Sequence, residues 1–242
     1  MEAVAYRSMA DLEDRHWWFV ARRKIIAETI KSKIDLPPDA RILEAGCGTG
    51  GNIAFLRTFG SVEAIEYDDF AREYATSRTG LAVHAGSLPD RIPSELTDYD
   101  LIALLDVLEH VEQDRASLEA LANRLAGGGK ILLTVPALQF LWSSHDVVHH
   151  HHRRYSKKLL MNVIEAAGLS ISFITYYNSL LFPAALLQRG FSKLMRSDAI
   201  LDEMPITSVN SLLTRTFSAE AAILKHMSLP VGLSLLAICQ KN

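Results

Sequence analysis

Hydrophobic and polar positions follow two different periods along the middle of the chain. Short apolar runs typical of buried strands alternate with stretches whose apolar residues recur every three or four positions, as on one face of a helix. The runs interpreted as strands are Ala40–Ala45, Val62–Glu66, Ala82–Ala85, Tyr99–Leu105, Lys130–Val135, Ser170–Tyr177 and Leu233–Cys239. Strands and helices alternate from residue 40 to 177, which predicts a parallel sheet with helices on both faces.

The predicted helices are marked by their ends as well as by their periodicity. They are His16–Ile34, Asn52–Phe59, Asp69–Arg78, Arg115–Leu125 and a helix from Ser156 to Gly168. Pro37–Pro38 stops the first, and Gly60 and Gly80 are expected to close the second and third. Gly127–Gly129 is expected to end the fourth, and Ser156 to be the N-cap of the fifth.

Residues 180–216 break this rhythm and indicate an inserted helical region. A chain of 242 residues can form one sizeable core, so we expect a single domain over residues 1–242. Its expected parts are an N-terminal helical segment (1–38), a cofactor-binding core (40–178), a helical insertion or lid (179–228) and a last strand (229–242).

Composition narrows the class of protein. The net charge of −3 gives no general affinity for nucleic acid, and no apolar stretch approaches the roughly 20 residues needed to span a bilayer. Residues 1–14 lack the pattern of a secretory signal. Cys47 and Cys239 form neither a disulfide framework nor a zinc spacing, so a reducing, cytoplasmic compartment is expected.

A glycine-rich turn follows the first strand. Gly46, Gly48 and Gly51 match the pattern G-x-G-x-x-G, and Glu66 lies twenty positions beyond Gly46, where an acidic residue holds ribose hydroxyls. This pattern suits a dinucleotide and S-adenosylmethionine alike, because both contain adenosine. An NAD(P)-dependent oxidoreductase and a non-catalytic cofactor-binding module therefore stay open as alternatives.

Glu44 separates the two cofactors. A dinucleotide places its anionic pyrophosphate at this turn, beside the start of the next helix, where a carboxylate disfavours it. S-adenosylmethionine instead brings an ammonium and a sulfonium, which a carboxylate attracts. The alternative without a functional role is that Glu44 faces solvent at the end of the strand.

The segment Glu44–Gly50 resembles the first motif of class I, Rossmann-like S-adenosylmethionine-dependent methyltransferases, of the small-molecule subset. Segments resembling the later motifs follow in that family's order, at Ala64–Tyr67, Ala85–Pro89, Tyr99–His110 and Gly128–Pro136. The resemblance implies a three-layer α/β/α sandwich around a mostly parallel, seven-stranded sheet, with an antiparallel last strand and a helical insertion before it. It implies in-line methyl transfer to a small-molecule oxygen or nitrogen, leaving S-adenosyl-L-homocysteine.

The cofactor-binding residues expected from the motifs and the resemblance share the carboxyl edge of the sheet or the N-terminal segment. They are Trp18, Arg22, Glu44, Ala45, Gly46, Cys47, Gly48, Gly50, Asn52, Glu66, Tyr67, Gly86, Ser87, Leu88, Asp106, Val107 and His110. The third motif departs from the family pattern, since Ser87 replaces an acidic residue. Trp17–Phe19 forms either a lid, with Arg22 pairing with the cofactor carboxylate, or an amphipathic helix packed on the sheet.

Three histidines are the candidate catalytic residues. His110 ends the fourth strand motif, while His145 and His151 follow the fifth strand, in a segment that also resembles the same methyltransferase subset. Histidine is a natural general base near neutral pH, so His145 or His151 is expected to take the acceptor proton. His110 is equally expected to pack beside the adenine.

Two further segments bear on partners. The run His149–His152 raises the question of a metal, but consecutive side chains rarely point one way, so no metal is expected. The apolar stretch Ser179–Met195 favours a substrate lid, because Pro183 interrupts a long interfacial helix. The alternative is that this stretch contacts a membrane surface or binds an apolar or lipid-like acceptor.

Overall fold

A seven-stranded sheet forms the centre of the protein in a computed structural model that describes residues 3–187 and 204–242. Its strands are β1 (Arg41–Ala45), β2 (Ser61–Glu66), β3 (His84–Ala85), β4 (Tyr99–Leu105), β5 (Leu125–Pro136), β6 (Leu169–Tyr177) and β7 (Ser234–Lys241). Their order in the sheet is β3-β2-β1-β4-β5-β7-β6. β7 is antiparallel to both of its neighbours, and the other pairings are parallel, as expected.

Helices precede and connect these strands. They are α1 (Ala3–Glu13), α2 (Trp17–Lys33), α3 (Ile53–Leu56), α4 (Asp69–Thr79), α5 (Asp114–Ala122), α6 (Ser144–Val148), α7 (Lys157–Ala166), α8 (Thr207–Ser218) and α9 (Glu220–Leu224). Residues 182–187 are also helical, and Leu108–His110 and Gln139–Leu141 are short 3₁₀ turns. The N-cap prediction at Ser156 is confirmed, because its Oγ accepts the backbone N–H of Leu159.

The two faces of the sheet carry different helices because successive side chains along each strand alternate in direction. Leu43 joins a core with α5 and α7, while Ile42 packs on the opposite face with α2, α4 and α9. Chain order reverses between β1 and β4, so the loops that follow these two strands diverge and open a crevice at the carboxyl edge of the sheet. The Rossmann-like sandwich predicted from the sequence is confirmed.

Several predicted boundaries are wrong. The helix expected over Asn52–Phe59 is regular only from Ile53 to Leu56, and the strand expected from Ala82 begins at His84. The helix expected to reach Leu125 ends at Ala122, because β5 begins at Leu125.

Two further features differ from the sequence-based expectation, the glycines of β5 and the helix at the N-terminus. Gly127–Gly129 lies within β5 instead of ending a helix, and the register of β5 against β4 shifts there. Glycine has no side chain that would oppose this irregular pairing. Helix α1 lies within the N-terminal segment 1–38 that the sequence predicts to be helical, but the sequence does not predict its bounds.

Part of the predicted insertion falls outside the described residues. The segment 182–187 and α8 are helical, as expected, whereas residues 188–203 lie outside the described ranges. Within those ranges, no helix is both long enough and apolar enough to cross a membrane.

Candidate functional site

The turn after β1 is pressed against the neighbouring elements. The backbone N–H groups of Gly46 and Cys47 both donate to the carbonyl of Ile65, at 2.9 and 3.1 Å. Gly46 has φ +76°, and a Cβ there would lie 2.7 Å from Cγ2 of Val107. Glycine is therefore required at this position for both backbone conformation and space.

Glu44 points into this turn from β1 and is 1% exposed. Its Oε1 accepts a hydrogen bond from Nδ2 of Asn52 at 2.9 Å, while Oε2 has no hydrogen-bond partner among the described residues. Burial raises the pKa of the Glu44 carboxyl to about 8, with contributions from Glu13 and Glu66, against the opposing effects of Asn52 and Arg22. The solvent-facing alternative is wrong, and no cationic side chain forms an ion pair with Glu44 among the residues that the structure describes, so its burial is only partly offset.

Glu66 closes the same turn from the end of β2. Its Oε2 accepts the backbone N–H of Gly48 at 2.8 Å, and its Oε1 accepts that of Asp68 at 2.9 Å. The side chain is buried, so these two bonds fix its orientation. Each oxygen keeps a second lone pair with which to accept a hydroxyl.

Helix α1 covers the turn, which no motif in the sequence indicates. Oε1 of Glu13 accepts the hydroxyl of Thr49 at 2.9 Å, and its Oε2 pairs with Arg78 of α4. A Cβ on Gly51 would lie 2.5 Å from the Glu13 carboxyl carbon. The buried Glu13 and Thr49, together with the half-buried Arg78, thus hold the N-terminal segment over the glycine-rich turn, although the spacing of Glu13 along the chain matches no motif.

Arg22 and Asp106 join α2 to the end of β4. Nη2 of Arg22 lies 2.5 Å from Oδ2 of Asp106 and 3.1 Å from the hydroxyl of Thr134, and its guanidinium stacks over Trp18. Asp106 has φ +56°, which turns the chain away from the strand. The expected pairing of Arg22 with a cofactor carboxylate stays a prediction, and the structure gives Arg22 a protein partner.

The third predicted motif forms a tight loop beside Glu66. The N–H of Gly86 donates to the carbonyl of Glu66 at 3.2 Å, and Ser87 and Arg91 exchange backbone hydrogen bonds. Tyr67, at 75% exposure, lies on the open side. Among the other expected cofactor contacts, Ala45 and Cys47 are buried in or beside the turn, and Leu88 packs against the core.

Two histidines meet at the same edge, in the loops after β4 and β5. The rings of His110 and His151 have centroids 4.6 Å apart at an interplanar angle of 84°. Burial, followed by the neighbouring His151 and His149, lowers the pKa of His110 to about 3. His110 is therefore neutral at physiological pH.

Glu109 completes this group, although the sequence indicated no role for it. It is 1% exposed, and its Oε2 has no hydrogen-bond partner within the described part of the chain. Burial, followed by the charge of Asp106, raises the pKa of the Glu109 carboxyl well above its usual range. One ligand-type atom from each of Glu109, His110 and His151 lies within 4.8 Å of the others.

Asp146 orients His151. Its Oδ1 lies 2.9 Å from Nδ1 of His151, and Arg154 binds both carboxylate oxygens, at 2.7 and 3.0 Å. Burial would raise the pKa of Asp146, but the hydrogen bonds from His151 and Arg154 outweigh it and hold that pKa well below its usual range. A permanently charged carboxylate therefore fixes one nitrogen of His151.

The remaining histidines of this segment are placed differently. His145 belongs to α6, but its side chain lies outside the described part of the structure. His150 and His152 are exposed, and His150 has φ +55°. The backbone N–H of His152 donates to the carbonyl of Glu109 at 2.8 Å, which anchors the run beside the β4 loop.

The sequence matches one family profile. The profile described as "Methyltransferase domain" matches residues 17–193, which is most of the chain. No curated protein matches the chain by sequence.

Solved structures share the fold at low sequence identity. A chain of the complex between the Haloferax volcanii Trm112 methyltransferase activator and a methyltransferase has a TM-score of 0.61 at 18% identity, covering 98% of this chain and 95% of that one. A TehB-like S-adenosylmethionine-dependent methyltransferase from Corynebacterium glutamicum gives 0.56 at 17%, covering 91% and 88%. Geranyl diphosphate C-methyltransferase from Streptomyces coelicolor, solved with Mg²⁺, geranyl diphosphate and S-adenosyl-L-homocysteine, gives 0.58 at 15%, covering 90% and 78%.

Proposed function

Because the chain belongs to the family of methyltransferase domains and its cofactor is S-adenosylmethionine, we propose that it methylates an oxygen or nitrogen of a small-molecule acceptor. One observation carries this proposal. Glu44, whose Oε2 has no hydrogen-bond partner among the described residues, lies near the end of β1, and the oriented imidazole of His151 belongs to the loop after β5, at the same carboxyl edge of the sheet.

The residues of the glycine-rich turn fit the cofactor. The orphaned oxygen of Glu44 is a site for a cationic amino group, and the lack of a Cβ on Gly46 lets the turn pack closely against Val107 and keep the conformation that presents Glu44. Glu66 would accept the ribose hydroxyls, and the loop Gly86–Leu88 would contact the adenine. S-adenosylmethionine supplies a methyl group on a positively charged sulfur, which keeps the electron pair of the broken C–S bond.

We propose that the imidazole cluster carries the acceptor chemistry. His151 is held by Asp146, so its other ring nitrogen has a fixed direction. We assign to that nitrogen the removal of the proton from the acceptor hydroxyl or amine as the new bond to carbon forms. His110 packs edge-on against His151 and limits its rotation. His145 stays a candidate by sequence.

The insertion is the proposed lid over the acceptor. Its root is fixed by Glu220, whose Oε1 accepts the backbone N–H groups of Ser179 and Leu180 at 2.7 and 2.8 Å. Leu187 and Ile206, on either side of the undescribed residues, are exposed apolar side chains. This composition favours an acceptor with an apolar portion. The segment and the core would then act as one domain over residues 1–242.

Two measurements on the full chain test the function. Calorimetric titration with S-adenosyl-L-homocysteine and with NAD separates the two cofactor classes, and transfer of a labelled methyl group to a panel of phenols, amines and carboxylic acids tests catalysis. We expect binding of S-adenosyl-L-homocysteine, weakened by at least about 10-fold in Glu66→Gln through the lost hydrogen bonds. Tight NAD binding without S-adenosyl-L-homocysteine binding would overturn the cofactor assignment.

The catalytic role has its own matched variants. His151→Ala should keep its affinity for S-adenosyl-L-homocysteine and lose about 10²-fold or more in turnover, as expected for loss of a general base. His152→Ala removes an exposed neighbouring imidazole and should keep the activity. Cofactor binding with no methyl transfer to any acceptor would indicate a non-catalytic module instead.

A further inference from the structure

The imidazole cluster has the composition of a metal site as well as that of a base. Two histidines and one carboxylate, with ligand-type atoms within 4.8 Å of one another, come from two loops that neighbour each other in the fold. Three protein ligands of this kind leave coordination positions open on a divalent ion, as in catalytic zinc sites. Imidazole nitrogens favour zinc and other transition metals over magnesium or calcium.

Glu109 supplies an observation that is independent of this spacing. Its carboxylate is almost completely buried, yet Oε2 has no hydrogen-bond partner among the residues that the structure describes. A buried carboxylate oxygen without a partner is costly unless a cation or a donor faces it. The carboxylate of Glu109 is also the group that forms the cluster with His110 and His151.

His151 is supported in the way that metal-binding histidines usually are, because its Nδ1 lies on the carboxylate of Asp146. In metal sites the second ring nitrogen is typically held by a carboxylate or a backbone carbonyl, which orients the ligating nitrogen. Arg154, in turn, fixes Asp146 through two hydrogen bonds.

We propose that Glu109, His110 and His151 form a binding site for one divalent transition-metal ion of the zinc class. Bonds of about 2.0–2.2 Å to an ion require neighbouring ligand atoms to lie about 3.4 Å apart. Side-chain rotations that close the present spacing by about 1 Å or more complete the site. The prediction of no metal rested on the run His149–His152, and one member of that run joins the cluster, beside His110 and Glu109 from the β4 loop.

This inference rests on the proposed function for its consequence. An ion at the carboxyl edge of the sheet would bind an acceptor hydroxyl or carboxylate directly, which makes oxygen acceptors the favoured substrate class. His151 is the proposed base in the metal-free protein. When the ion is bound, the same nitrogen is a ligand, and the acceptor proton passes to solvent water because coordination to the ion eases its loss.

Metal binding is measured directly on the full chain after chelator treatment and dialysis. Zn²⁺ is titrated by calorimetry, and Co²⁺ by its visible absorption, which reports the ligand field. We expect one ion per chain, with binding weakened by at least about 100-fold in His110→Ala, His151→Ala and Glu109→Gln. Losing a hydrogen-bond partner of a ligand typically weakens metal binding by about 10- to 100-fold, so losing the ligand itself should weaken it by at least the larger factor. Unchanged S-adenosyl-L-homocysteine binding verifies that each variant is folded.

The control variant is His152→Ala, which removes one histidine from the same run but leaves the cluster intact. It should bind Zn²⁺ like the unmodified protein. Equal weakening in His152→Ala and His151→Ala would mean nonspecific binding to the run, and no bound ion in the unmodified protein would also overturn the site. If the protein transfers methyl groups but binds no ion, this inference alone is defeated. If it binds an ion but transfers no methyl group, the proposed function alone is defeated.

Discussion

Nη2 of Arg22 lies 2.5 Å from Oδ2 of Asp106, and this ion pair between a buried guanidinium and a partly exposed carboxylate joins helix α2 to the loop that follows β4. The two residues are 84 positions apart in the sequence. The guanidinium also contacts Thr134 and Trp18, so one side chain connects α2, β4 and β5. Arg22 therefore has a structural role at the cofactor edge, whether or not it also contacts the cofactor.

Replacing Arg22 tests this role. Arg22→Met leaves the Asp106 carboxylate without its partner, and breaking a buried pair from one side typically costs about 3–5 kcal/mol. Asp106 is partly exposed, so we expect a loss of about 2–3 kcal/mol in the free energy of unfolding, measured by urea denaturation. Lys24→Met, on an exposed position of the same helix, should change it by less than about 0.5 kcal/mol. Equal effects in the two variants would contradict the pairing.

Glu44 predicts a pH dependence of stability. Its pKa is about 8 in the folded protein against an ordinary value of 4.5, so the folded state retains a proton that the unfolded state has lost. The contribution of this group is complete below the unfolded pKa and is lost as pH rises from about 4.5 through about 8. We expect the free energy of unfolding of the unmodified protein to fall relative to that of Glu44→Gln across this window, by a few kcal/mol at most.

Urea denaturation of both proteins at intervals from about pH 5 to about pH 8.5 provides the measurement. Taking the difference between them removes the titration of all other groups. Parallel curves would show that Glu44 is not buried in its unpaired state. Glu44→Gln should also weaken S-adenosyl-L-homocysteine binding, because the variant loses the charge opposite the ammonium.

Replacing Gly46 is predicted to lower both stability and cofactor affinity, because a side chain there is strained and clashes with Val107. Gly46→Ala puts a Cβ 2.7 Å from Val107 at φ +76° and should destabilise the protein by about 2–4 kcal/mol and abolish cofactor binding. Gly128→Ala is the matched control, since Gly128 has φ +83° and nothing within 4 Å of the added Cβ. It should cost only about 1–2 kcal/mol and leave binding intact. Retained cofactor affinity in Gly46→Ala would show that cofactor binding does not need this conformation of the turn.

Glu220 is predicted to stabilise the start of the insertion, at Ser179 and Leu180. Glu220→Ala leaves the N–H groups of Ser179 and Leu180 without their acceptor, at a cost of about 2–3 kcal/mol, whereas Glu220→Gln keeps an acceptor oxygen and should cost less than half as much. Amide hydrogen exchange at these two residues should accelerate in the alanine variant. Unchanged exchange there would show that other contacts hold the segment.

Much of the site depends on local rules that the sequence displays. Gly46, Glu44 and Glu66 were identifiable because a tight turn demands glycine and because an acidic residue at each strand end has few structural reasons to be there. The alternation of strands and helices likewise predicted the layers of the fold. Helix boundaries were less well predicted, since Gly127–Gly129 is tolerated inside β5 through pairing with strands distant in sequence.

The sequence by itself determined the sheet, its helices and the glycine-rich turn, because periodicity and backbone preference act between residues close together in the chain. Only the tertiary structure decided that Glu13 covers this turn, that Arg22 pairs with Asp106, and that Glu109 and His110 meet His151. These contacts depend on the packing of α1, α2 and the β5 loop against the sheet. Their energies come from burial and charge pairing across long sequence separations, which no local pattern records.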